Sequence, residues 1–129
     1  MKMYIKSVMV DDQAKAHAFY TDILGFQTKH DISMGEHRWL TLVSPEEADG
    51  VELALEPNEY PAASALQVAL MKDGIPWTSF SVESVQSEFE RLEKVGVSFT
   101  QPPTEGGGAK FATFNDTCGN LIQVVELAD

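Results

Sequence analysis

The chain has 129 residues, 43% of them hydrophobic and 22% charged, which suits one folded domain with a modest core or two small halves that share one. Nine Lys and Arg against 20 Asp and Glu give a formal net charge of -11, a field that repels a phosphate backbone and favours cationic small molecules, so nucleic acid is excluded as the expected partner. No stretch approaches the ~20 apolar residues that span a bilayer, the first residues lack a signal-peptide pattern, and a single cysteine forms no internal disulfide; a cytoplasmic protein without membrane contact is expected.

Residues 3–10, "MYIKSVMV", alternate as a strand, with Ile5, Ser7 and Met9 on one face and Lys6, Val8 and Val10 on the other. The period then changes. "DDQAKAHAFYTDIL" opens with two acids suited to a helix N-terminus and places Ala16, Phe19, Tyr20 and Ile23 on one stripe, until Gly25 stops it. "FQTKHDI", "HRWLTLVS" and "GVELALE" follow as short strands between turn-forming segments. Residues 57–74 form a linker with prolines and an Ala- and Leu-rich stretch long enough for about two helical turns. "WTSFSV", "ESVQSEFERLEKV", "GVSFTQ", "KFATFN" and "GNLIQVVE" then repeat the strand, the helix and the three strands.

The chain therefore reads as an α+β duplication: module one over about 1–56, the linker over about 57–74 and module two over about 75–129, each β-α-β-β-β. A sheet covered by a helix on one face leaves the other bare, so the two modules are expected to form a cupped, incompletely closed mixed β-sheet barrel with helices outside. Strand residues that alternate away from the helices should line the cup: Ile5, Ser7 and Met9, Glu52, Ala54 and Glu56, Trp77, Ser79 and Ser81, and Leu121, Gln123 and Val125.

"VMVDDQAKAHAFYTDILGF" and "FNDTCGNLIQVVE" resemble the opening and closing motifs of the vicinal oxygen chelate superfamily, which includes glyoxalase I, bleomycin-resistance proteins and extradiol dioxygenases. The resemblance implies the paired-module fold and, in metal-dependent members, a divalent ion held by His or Gln in the first strand of a module and Glu in the last. Carried onto this chain, those positions fall on Ile5, Trp77, Gln123, and either Glu52 or Ala54. Ile and Trp cannot ligate, and one carboxylate with one amide falls short of a catalytic donor set. No metal and no cofactor is therefore expected, with one divalent metal in an atypical site as the alternative.

The remaining candidates read as structure. His17 falls mid-helix, and His30 and His37 flank a hairpin, where Glu36 and His37 should point to opposite faces and not converge on an ion. Cys118 lies in a Thr-Cys-Gly-Asn turn with no base beside it. "EGGGAK" at 105–110 lacks phosphate-loop spacing and precedes a strand, so it reads as a hairpin at the mouth of the cup.

The function expected is binding of a small organic, possibly cationic, molecule, with Trp39 and Trp77 stacking and Ser7, Glu52, Glu56, Ser79 and Gln123 giving polar contacts. The alternatives are a glyoxalase-like lyase or a dioxygenase-like oxidoreductase, and a protein-binding domain using "AASALQVALM". A homodimer through that segment or through strand edges is expected from the resemblance.

Overall fold

The computed structural model describes residues 1–127; the last two residues of module two lie outside them. Contacts divide the chain into two compact units, one of residues 1–64 and one beginning at Ala65. Each unit holds a four-stranded mixed sheet of the same order, first strand, fourth, third, second. Each sheet is open, with two edges, and does not close on itself.

In the first unit the strands are β1 (Ile5–Val10), β2 (Gln27–Met34), β3 (His37–Val43) and β4 (Glu52–Pro57). β1 runs parallel to β4, and the other pairs are antiparallel. Helix α1 (Gln13–Ala18) is capped by Asp12, whose carboxylate accepts from Lys15 N at 3.0 Å. The helix widens into a π-turn over Phe19–Ile23 before Gly25, so the expected single helix is two short helical forms. Its buried stripe is Ala16 and Tyr20, and the sheet side of that core carries Val8, Val10, Leu40, Leu42, Leu53 and Leu55, all buried.

Gln13 ties this helix to the sheet. Its amide nitrogen donates to Arg38 O and to Leu55 O, each at 2.8 Å, while its oxygen accepts from Arg38 N at 3.0 Å. β3 and β4 pair directly only at Thr41–Ala54 and Leu42–Leu53, so the amide satisfies backbone groups of both strands outside that short ladder. Gln13→Ala leaves three half-buried backbone groups without a partner and is expected to cost about 2 kcal/mol. Urea unfolding checks this, and a loss within the noise of a surface substitution contradicts it.

In the second unit the strands are β5 (Thr78–Ser81), β6 (Phe99–Gly106), β7 (Ala109–Asn115) and β8 (Leu121–Leu127). Helix α3 (Val85–Lys94) is capped by Ser84 and buries Val85 and Leu92 against the face that carries Phe114, Ile122 and Val124. Phe89 meets Phe99 edge-on at 4.8 Å between ring centres, extending this core towards β6. The "EGGGAK" segment is a hairpin turn: Gly107 and Gly108 both have positive φ, as a two-residue connection between right-twisted strands requires.

The segment between the strand series is more ordered than its prolines suggested. Helix α2 spans Pro61–Asp73, 13 residues, about twice the helix expected there, because Pro61 occupies the first turn, where its missing N–H costs nothing. No helix among the described residues is long and apolar enough to cross a membrane.

Candidate functional site

The strand pairings fix which residues share a face. In the first sheet His30 pairs with Thr41, Thr41 with Ala54 and Ala54 with Ser7, so these four form one row across all four strands on the face opposite α1. The neighbouring row holds Glu52 opposite Ile5, and Trp39 and Glu56 lie on the same face by parity. In the second sheet Gln101 pairs with Thr113, Thr113 with Gln123 and Gln123 with Ser79. Trp77 precedes this row with its backbone N–H donating to Leu121 O at 2.8 Å. The first sheet thus groups Ser7, Trp39, Glu52 and Glu56, and the second groups Trp77, Ser79 and Gln123.

The two rows correspond strand by strand, and this settles the register of the fourth strand. Ser7 pairs with Ala54 as Ser79 pairs with Gln123, so the counterpart of Gln123 is Ala54, and Glu52 corresponds to Leu121. The positions that the resemblance implies for an ion therefore carry Ile5 and Ala54 in one unit and Trp77 and Gln123 in the other. Three of the four have no ligating atom. The fourth, Gln123, already accepts from Ser79 Oγ at 2.6 Å through its amide oxygen, the atom an ion would need. These residues do not fit a catalytic metal.

The second row is internally matched. Ser79 donates to Gln123, and Thr113 Oγ1 lies 3.5 Å from Gln101 Oε1. The first row is not. Among the described residues, Thr41, fully buried, has a hydroxyl with no hydrogen-bond partner, and Glu52, 6% exposed, has an equally unpartnered Oε1. His30 Nε2 stands 3.9 Å from that oxygen, too far for a direct hydrogen bond. Glu52 is a candidate from the sequence and His30 reads there as hairpin structure, while Thr41 carries no signal. The pairing of β2 with β3 would have been needed to see that one side chain lies opposite the other.

The other histidines are engaged elsewhere. His17 sits between Thr28 Oγ1, 2.7 Å from Nε2, and Arg38 Nη2, 3.2 Å from Nδ1. Arg38 also makes a two-pronged pair with Asp31 at 2.8 and 2.9 Å, which holds the Asp31 carboxyl below its ordinary value of 3.8. A depressed carboxylate favours the fold above its unfolded pKa and loses that contribution as pH falls through the folded value. Arg38→Gln is expected to return the Asp31 titration, followed by NMR, to the ordinary range; an unchanged midpoint contradicts this.

His37 corrects an expectation. Its Nε2 bonds Glu59 Oε2 at 2.8 Å, and Glu36, His37 and Glu59 hold their ligand atoms within 4.8 Å of one another. Glu36 lies in the turn, where strand alternation no longer applies, so it can approach its neighbour. The group is at the surface, where such clusters commonly stay solvated, and it assigns no metal site by itself.

Cys118 is buried in the turn before β8. The turn is built on Asp116, wholly buried, which accepts from Cys118 N at 2.7 Å, Asn120 N at 3.0 Å and Asn120 Nδ2 at 2.9 Å. Asn120 Oδ1 in turn accepts from Gln67 Nε2 of α2 at 3.0 Å. Gly119 has φ +105, a conformation that favours glycine, and a Cβ there would displace Gln67 Nε2 from 2.9 Å. The thiol lies 4.0 Å from Thr117 Oγ1 and has a structural place in the turn.

Two open four-stranded sheets of one order, each with a helix on one face, are the architecture of a vicinal-oxygen-chelate protein. The model of the glyoxalase/bleomycin resistance protein/dioxygenase superfamily matches residues 4–124, and the chain belongs to that superfamily. It is 51% identical to the uncharacterized protein YurT of Bacillus subtilis (strain 168) over 126 residues, 98% of this chain and 99% of that protein. Among solved structures it resembles UcmS2 at 30% identity with a TM-score of 0.83, covering 98% of each chain. TnmS3, an antibiotic binding protein from Streptomyces sp. CB03234, has the same fold with a TM-score of 0.78 at 23% identity, over 99% of this chain and 97% of that one.

Proposed function

We propose that this protein binds a small organic molecule without a catalytic metal, acting in the cytoplasm as a homodimer. The observation that carries the reading is the donor set: Ile5, Ala54 and Trp77 offer no ligand atom at the strand positions used by metal-dependent relatives, and Gln123 spends its oxygen on Ser79. The same faces keep Trp39 and Trp77 half-buried beside polar side chains, a mixture suited to aromatic stacking with a few directional contacts. TnmS3 supports the reading only as far as fold: a protein of this architecture is an antibiotic binding protein.

A thermal-shift screen of natural-product antibiotics, each hit followed by indole fluorescence titration and mass analysis, tests this. Saturable binding with the ligand recovered unchanged is expected. Ni, Zn, Mn and Fe should produce no stoichiometric binding in a Glu36→Ala/Glu59→Ala background, which removes the surface cluster. One tightly held ion lost on Glu52→Ala and Gln123→Ala, or chemical turnover of a hit, would replace the proposal with a metalloenzyme. Sedimentation should give a dimer mass, for which exposed Leu66 and Val68 of α2 offer apolar surface; a monomer at every concentration ends that part.

A further inference from the structure

The difference between the two polar rows points to what the first sheet recognises. In the second sheet the row is closed by its own side chains, with Gln123 on Ser79 and Leu121 apolar in the neighbouring row. In the first sheet both positions are exchanged. Ala54 ends at its Cβ and gives Thr41 no polar partner, while Glu52 puts a carboxylate where the repeat has leucine. The results are two orphaned oxygens, Thr41 Oγ1 and Glu52 Oε1, buried on one face of one sheet. A buried carboxylate oxygen without a donor is costly, and the repeat itself shows that this fold can be built without one.

We propose that Glu52, Thr41 and His30 form a subsite for an organic cation that carries N–H donors, such as a protonated amine, guanidinium or amidinium group. This rests on the reading of the protein as a small-molecule binder and names the ligand class. Glu52 Oε1 supplies the charge-matched acceptor and Thr41 Oγ1 a second acceptor. The 3.9 Å between His30 Nε2 and Glu52 Oε1 suits one donor nitrogen bonded to both. His30 is the accessible member, 42% exposed at its side chain, so the ligand approaches from its side of the face. Trp39, the next residue on this face of β3, offers a ring for the ligand's apolar body. A neutral ligand of the same shape would leave the carboxylate unmatched.

The test uses benzylamine and benzyl alcohol, which differ in the ammonium group, titrated into the full chain at pH 7 and followed by amide and indole NMR shifts. Benzylamine is expected to bind about tenfold tighter than benzyl alcohol, the scale of one charge-assisted hydrogen bond, and to shift His30, Thr41 and Glu52. Glu52→Gln, which keeps shape and removes charge, should abolish that preference, and Thr41→Val should reduce it, both with native-like spectra. If Glu52→Gln does not fold, His30→Ala and Thr41→Val carry the test through the same amine-to-alcohol ratio. Equal affinities for the two probes, or a preference unchanged in the variants, overturn the subsite while leaving small-molecule binding standing. Saturation by neither probe also overturns it, and the antibiotic screen then judges the broader reading separately.

Discussion

Replacing Asp116 with alanine is expected to destabilise the protein by about 3–5 kcal/mol, the scale for removing one partner from a buried charged network. Its carboxylate accepts from two backbone amides and one side-chain amide, none of which has water to replace it. The loss also frees Asn120, whose oxygen holds Gln67, so the turn and the α2 contact should loosen together. Asp116→Asn keeps the shape and one carbonyl acceptor and should cost roughly half as much, about 1.5–2.5 kcal/mol. Urea unfolding of the variants measures both. A cost below about 1 kcal/mol for the alanine variant would mean that the network is not what orders this turn.

The second large effect runs in the opposite direction. Glu52→Leu is expected to stabilise the protein by about 1–3 kcal/mol, because it removes a buried carboxylate with an unpartnered oxygen and substitutes an apolar side chain of similar volume. Leu121, 2% exposed at the corresponding position of the repeat, is the internal precedent. Thr41→Val, which exchanges an orphaned hydroxyl for a methyl group, should gain a smaller amount, about 0.5–1 kcal/mol. Residues that cost stability in the free protein are those expected to be retained for a ligand. Differential scanning calorimetry decides the matter: if both variants lose stability as ordinary core substitutions do, Glu52 and Thr41 serve the fold rather than a ligand.

Much of this organisation was legible in the residues. Alternation in "MYIKSVMV" placed Ser7 and Val8 on opposite faces, and the recurrence of strand, helix and three strands revealed the duplication. The motif "FNDTCGN" marked a turn, but not that Asp116 is its buried centre or that a glutamine from the linker helix would close the network. Gln67 is polar and lies in an Ala- and Leu-rich segment, so nothing local distinguishes it from an exposed helical residue. Gln13 was likewise hidden: its role depends on where the β3–β4 ladder ends, a long-range property of strands 25 and 42 residues away.

The sequence by itself determined the paired-module class and the residue types that make a catalytic metal a poor fit, because Ile and Trp lack donor atoms in any conformation. Only the tertiary structure decided between Glu52 and Ala54, since strand register is set by pairing and a shift of two residues preserves every face assignment. With Ala54 identified as the partner of Ser7, Glu52 ceases to be the remnant of a metal site. Its buried Oε1 and the Thr41 hydroxyl, on the same face of the first sheet, have no hydrogen-bond partner among the described residues, and that pair directs attention to a cationic ligand.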